Sequence, residues 1–179
     1  MMIKPPETLE TSRLLLRLPI LDDIDIIFRK YAQDEEVAKY MIWRPHESVN
    51  DTREFILHCI QCWKDKPVFP WIIASKNDNE LIGMIELRID KTRADLGYVI
   101  AREYWGKGYA TEVTKIVVDW ALSQDSIFRV WATCDVENIA SARVLEKAGM
   151  QREGVLRRYL IHPNLSDKPR DSYCYSVVK

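Results

Sequence analysis

"ADLGYVIAREYWGKGYATEVTKIVVDWAL", residues 94–122, holds the transition on which the fold turns. Its first seven residues read as a strand, and the apolar residues from about 108 to 123 recur at helical spacing. Gly97, Gly106 and Gly108, three of the chain's six glycines, fall within a dozen residues here. Glycine weakens regular structure; its use is to bring backbone N–H groups close to a ligand or to adopt dihedrals closed to other residues. Where a loop becomes a helix, the amides of residues 106–111 can point outward beside the positive end of the helix dipole, which makes an anion site. Lys107 adds a positive charge and Thr111 a hydroxyl donor. The same glycines also suit a tight turn that only lets the helix pack on the sheet, and spacing admits both readings.

Working outward, "SRLLLRLPI" (residues 12–20) alternates Leu14, Leu16 and Leu18 with Arg13 and Arg17, the period of a half-buried strand that Pro19 ends. Asp22 and Asp23 open an amphipathic helix carrying Ile24, Ile27, Phe28 and Tyr31, and "VAKYM" adds a short helical turn. A longer helix, capped by Asn50 or Ser48, runs through Trp63 with Phe55, Ile56, Cys59, Cys62 and Trp63 as its buried stripe. That stripe makes both thiols core residues; a metal or redox site would need His58, Cys134 or Cys174 as further ligands, and no metal is expected. "PWIIASKNDNELIGMIELRID" reads as two strands joined at Asn77-Asp78-Asn79, so the sheet begins as an antiparallel meander leading into 94–100. Beyond it, strand, helix, the strand "FRVWATC" (128–134) and a helix of about 139–148 form a β-α-β-α run, closed by the strands "GVLRRYLI" and "DSYCYSVV". The class is α+β.

Composition bounds the function. The 179 residues are 47% hydrophobic and 30% charged with a net charge of −1, an ordinary globular composition for one domain spanning 1–179. Such balance argues against a direct nucleic-acid partner, and no apolar run approaches the ~18 residues of a membrane span. The start, "MMIKPPETLE", lacks the order of a signal peptide, so a cytoplasmic monomer or homodimer is expected. Residues 1–90 carry 12 basic and 16 acidic side chains and residues 91–179 carry 14 and 11, which places the glycines in the basic half.

Two segments resemble a known family. "WGKGYA" (Trp105, Gly106, Lys107, Gly108, Tyr109, Ala110) is similar to the Gln/Arg-x-x-Gly-x-Gly/Ala cofactor motif of the GNAT acyl-CoA N-acyltransferases, with Trp105 in place of the opening Gln/Arg. "DVENIASARVLEKAGMQREG" resembles the Asn-x-x-Ser pattern of the branch containing the RimJ/RimL-type ribosomal-protein N-terminal acetyltransferases, with Asn138, Ser141 and Gly149 in place. "ETSRLLLRL" and "PRDSYCYSVV" also look like that branch, so the likeness spans nearly the whole chain. It implies a mixed, mostly antiparallel sheet of about seven strands flanked by helices, with a splay between strands four and five. It further implies acetyl-CoA as co-substrate, its pyrophosphate on the amides of residues 106–111 and its pantetheine arm along the fourth strand. By position that strand is 94–100, which makes Val99, Ile100, Arg102 and Asn138 the candidates for contacting the arm.

The implied reaction is transfer of an acetyl group to a primary amine by direct attack on the thioester, and it requires a base, an oxyanion donor and an acid. Ser141 matches a serine proposed as acid in RimL-like proteins, although it also fits a first-turn hydroxyl with Asn138 as plain N-cap. The glutamate that those proteins carry after "EG" is replaced here by Arg157 and Arg158, leaving Asp95 and Glu86 as candidate bases. Asp34, Glu35 and Glu36 favour a cationic acceptor such as a protein N-terminus, polyamine or aminoglycoside, with Trp43 and His46 as pocket lining. Arg157, Arg158, His162 and Arg170 suggest the opposite, a basic rim for an acidic partner. Two other classes compete: a non-catalytic acyl-CoA-binding regulatory module and a dinucleotide-binding protein. The second would use Asp135 for a ribose, but "AREYW" separates the glycines from the strand end and the third glycine is Thr111.

Overall fold

The structure is a computed structural model that describes residues 3–179. Alternating leucines make β2 (Leu14–Arg17), whose Leu14 and Leu16 are fully buried, and β1 (Leu9–Glu10) pairs with it as a two-residue edge. The expected first helix is α1 (Asp23–Ile27), continued by a wider π turn over Phe28–Ala32 that carries Tyr31 and Ala32 into the core. Its N-cap, Asp22, makes no side-chain cap; Asp23 is buried and takes both terminal nitrogens of Arg17, at 2.9 and 2.6 Å. The short helix α2 (Glu35–Ala38) is capped by Asp34.

Ser48, rather than Asn50, caps α3 (Val49–Asp65) through a reciprocal box with Asp51. Cys59, Cys62, Ile56 and Trp63 are buried on this helix as expected, but Phe55 is exposed. Its ring lies on the outer side, edge-on to His46 at 6.1 Å, and Thr52 takes the inward place one turn earlier. Burial pushes the Cys59 thiol far up, which keeps it a neutral packing group.

β3 (Val68–Ser75), β4 (Leu81–Asp90) and β5 (Arg93–Ile100) form the meander, and Asn79 takes the positive φ of the first turn. α4 (Tyr109–Ser123) crosses to β6 (Arg129–Asp135), α5 (Ile139–Lys147) follows, and β7 (Gln151–Leu160) and β8 (Arg170–Val178) close the chain. The spatial order is β1-β2-β3-β4-β5-β6-β8-β7. The sheet has eight strands rather than about seven because the two-residue β1 is added at its edge.

All neighbours are antiparallel except β5 and β6. This parallel pairing covers only Arg93↔Arg129 to Asp95↔Trp131. From Leu96 to Ile100, β5 stays on β4, whereas β6 stays on β8 as far as Asp135↔Ser172. The result is the splay that the resemblance implies, lying beside segment 94–100, the strand it takes as the fourth. One half of the core, with Leu96, Ile100, Val113, Val117 and Leu145, fills the face under α4 and α5; a second, with Ile24, Ile27, Ile56, Ile72 and Met84, lies under α1 and α3. Among the described residues, no helix is long and apolar enough to cross a membrane.

Candidate active site

The glycine segment has the geometry of an anion cradle. Gly106 (φ +74°) and Gly108 (φ +79°) adopt the left-handed conformation that side chains disfavour, and Gly108 is the N-cap of α4 without any side-chain cap. The first amide of this helix to find a backbone acceptor is that of Glu112, on Gly108 at 3.1 Å, so the N–H groups of Tyr109, Ala110 and Thr111 stay open for a ligand. Lys107 is exposed, with its ammonium 5.0 Å from the centre of the Tyr104 ring. Trp105 is half exposed, and its indole N–H donates to the Ile100 carbonyl at 2.8 Å. It thereby ties the loop to the end of β5.

A residue that sequence reading passed over holds this loop from the other side. Arg13, just before β2, donates from Nη1 to the Lys107 carbonyl at 3.1 Å and from Nε and Nη2 to Glu112 at 2.8 and 2.6 Å. Its guanidinium lies 4.6 Å from the centre of the Tyr109 ring. The Glu112 carboxylate also accepts from the Arg13 amide; burial pushes its pKa up, but hydrogen bonding from the Thr11 side chain and from Arg13 prevails and holds it below the usual carboxylate value. A separation of 99 residues hides this pairing from any local pattern.

Beside the loop, the free edge of β5 offers the backbone of residues 96–100 to an extended ligand. This stretch contains Val99 and Ile100, and Arg102 follows in a 3₁₀ turn with its side chain 3.2 Å from Asp34. On the α4/α5 face of the same strand, Tyr98 reaches α5, its hydroxyl 2.8 Å from Ser141 Oγ. Asn138 caps α5 by accepting the Ser141 N–H at 3.1 Å. Cys134 packs next to them, its thiol pushed up to about 11 by burial against the Ser141 hydrogen bond that favours the thiolate.

The two candidate bases lie on the opposite face of the sheet. Glu86 faces Gly97 and Arg88 faces Asp95 across β4 and β5. Arg88 holds both carboxylates, donating to Glu86 at 2.6 Å and to Asp95 at 2.7 Å from Nε and again from Nη2. Because Gly97 carries no side chain, the sheet surface beside Glu86 is left uncovered, with only the Arg88 guanidinium within 4.0 Å of where a Cβ would stand. The structure thus gathers Glu86 and Asp95 around one guanidinium and sets Ser141 across the strand from them, with the free β5 edge between.

The predicted rims change. His162 is buried, 4% exposed, 3.8 Å from Asp135, with neither ring nitrogen hydrogen-bonded. Arg170 is neutralised by Asp135 at 2.6 Å and Glu137 at 2.9 Å, so of the basic group only Arg157 and Arg158 stay on the surface. On the acidic side, Asp34 is used in its cap and ion pair, while Glu35, Glu36, Lys39, Arg44 and His46 line a hollow of about 640 Å³ against the loop around Asn164. Asn164 fixes that loop by donating to the carbonyls of Ala38 and Trp43 at 2.6 and 2.8 Å. His46 is tied to Thr52 at 2.7 Å, and burial lowers its pKa.

Comparison with known proteins identifies relatives of this chain. The acetyltransferase (GNAT) domain family covers residues 13–151. The uncharacterized N-acetyltransferase YoaA of Bacillus subtilis is 36% identical over 174 residues, 96% of either chain. A GNAT-family acetyltransferase structure from Bacillus anthracis superposes with a TM-score of 0.83 at 26% identity, covering 96% of this chain and 98% of that one. RimL, the ribosomal L7/L12 alpha-N-protein acetyltransferase solved with coenzyme A, shares the fold at a TM-score of 0.82 and 18% identity, with 96% and 98% covered.

Proposed function

The chain belongs to the GNAT acetyltransferase family, and on that premise we propose that it moves an acetyl group from acetyl-CoA to a primary amine in the cytoplasm. One observation carries the reading: a strand edge freed by the splay runs into a helix N-terminus whose amides are open and whose glycines leave room for a pyrophosphate. Acetyl-CoA supplies the thioester whose carbonyl carbon the amine attacks. The amides of residues 109–111, with Lys107, hold its phosphates, and the backbone of Val99, Ile100 and Arg102 leads the arm into the splay with Asn138 opposite. A β5 amide polarises the carbonyl.

An ammonium must lose a proton before it can attack, and Glu86 receives that proton through water over the uncovered Gly97. Asp95, doubly bound by Arg88, serves to fix the guanidinium. Ser141, at the first turn of α5, donates a hydrogen bond to the departing sulfur. The acceptor enters from the α1/α3 face, past the hollow beside α2; its mixed lining suits a cationic amine, in which class protein N-termini, polyamines and aminoglycosides all belong. Four free, buried cysteines suit a reducing compartment.

Calorimetric titration with acetyl-CoA tests the cofactor half: no binding up to millimolar concentration by folded protein would defeat it. An acetylation screen over N-terminal peptides, polyamines and aminoglycosides tests the acceptor half. The ion pairing of both carboxylates favours a second reading, a regulatory module that keeps acyl-CoA without turnover; tight binding with no acetylation or thioester hydrolysis across the screen would establish it instead.

A further inference from the structure

We infer that Tyr98 is a positioning residue that donates its phenolic proton to Ser141 Oγ, so that the serine's own proton is directed away from the protein and toward the departing sulfur. The inference rests on the proposed role of Ser141, but the contact itself is independent of it. Two oxygens stand near the Tyr98 hydroxyl: Ser141 Oγ at 2.8 Å and the Ser141 carbonyl at 3.5 Å, the outer limit of a hydrogen bond. If the serine were the donor, the part-buried phenolic proton would have only that distant carbonyl as a protein acceptor. If the tyrosine is the donor, it is satisfied at 2.8 Å and the serine proton is free to turn. Burial raises the Tyr98 pKa far above its ordinary value, and the Ser141 hydrogen bond only partly opposes this, so the phenol stays neutral and keeps its proton to donate.

The surroundings narrow the choice for the serine proton. The Ser141 amide is already taken by Asn138, which fixes the first turn of α5 and therefore the Cα–Cβ direction. Cys134 is a neutral thiol, a weak acceptor that a thiolate would outcompete. No tyrosine proton has to leave: the O–H of Tyr98 stays bonded throughout while the serine O–H hydrogen-bonds to the sulfur as the C–S bond breaks and the amide C–N bond forms. Incoming donation makes the serine a stronger donor, as chains of hydrogen bonds polarise one another.

The test separates this contact from catalysis. In Ser141→Cys, the pH dependence of iodoacetamide labelling at position 141, read by peptide mass spectrometry, reports the acidity of a thiol in the same place. Adding Tyr98→Phe should raise that apparent pKa by about one unit, because a hydrogen bond to the charged form is lost; an unchanged value overturns the inference. In the otherwise native enzyme, Tyr98→Phe should lower kcat about tenfold and leave the acetyl-CoA KM within twofold. A raised KM at constant kcat overturns it as well. A labelling shift without any kcat effect would keep the Tyr98 donation and remove Ser141 from the chemistry.

Discussion

Gly83 is placed to show how closely β4 and β5 are packed. It sits in β4 opposite Ile100, and a Cβ built on it would stand 2.1 Å from the Val99 carbonyl oxygen and 3.0 Å from Ile100 Cα. Both obstacles are backbone, so no side chain can rotate away. Restoring even a tight contact near 3.0 Å requires the end of β5 to move by about 0.9 Å, in a sheet whose neighbouring rows are fully packed. Overpacking of this kind costs about 1–3 kcal/mol, and the absence of a flexible neighbour puts Gly83→Ala near the upper end. For a chain of this length that corresponds to a Tm about 6–12 °C lower. The displaced backbone is also the proposed seat of the acyl-CoA arm, so the soluble variant should bind acetyl-CoA at least tenfold more weakly. Differential scanning calorimetry and calorimetric titration measure the two effects. A Tm within 2 °C of the parent together with unchanged affinity would refute the reasoning about the strand and its edge.

Three further outcomes follow from other contacts. Gly108→Glu introduces a side chain and a negative charge at the helix N-terminus, and should abolish detectable acetyl-CoA binding while circular dichroism stays native. Arg13→Met removes the clamp on Lys107 and Glu112 and leaves Glu112 without its counter-charge beside the amides proposed to hold the phosphates; acetyl-CoA affinity should fall about tenfold, with Tm lowered by only a few degrees because the arginine is half exposed. For Asp135, burial opposes ionisation but the Arg170 hydrogen bonds prevail and depress its folded-state pKa. Its contribution to stability is therefore present above the unfolded value and is lost as pH falls through the folded one. Arg170→Met should flatten the acid limb of the stability curve below about pH 4, measured by urea unfolding at several pH values.

Where neighbouring residues set the structure, the sequence was informative. The alternating leucines of β2, the turn at Asn79, the Ser48 cap, both crossover helices and the glycine loop all answer to local period or backbone chemistry, and each lies within two residues of its expected place. What escaped was made by side-chain contacts that no local period records, some a few residues apart and some distant along the chain. Asp23 reads as a first-turn helix acid until Arg17 is folded against it, and Arg170 and His162 read as a basic rim until Asp135 draws them inward. Tyr98 meets Ser141 across 43 residues, and Arg88 lies between two carboxylates that looked independent. Trp105, the departure from the family motif, acquires a reason in three dimensions: its indole supplies a hydrogen bond that seals the end of β5 to the loop.

The arginine clamp also sets an order of assembly. Arg13 and β2 leave the ribosome roughly a hundred residues before Glu112, and β2 itself waits for Ser75 and its neighbours before it has a partner strand. The proposed phosphate loop therefore gains its Arg13 contacts only when residues 94–122 meet a segment made long before them, although all its glycines are there. A nascent chain paused after α4 has the loop, but the loop is clamped only once the earlier strand is docked. In this fold, the finished shape of the glycine loop is a reading of whether β2 has found its place.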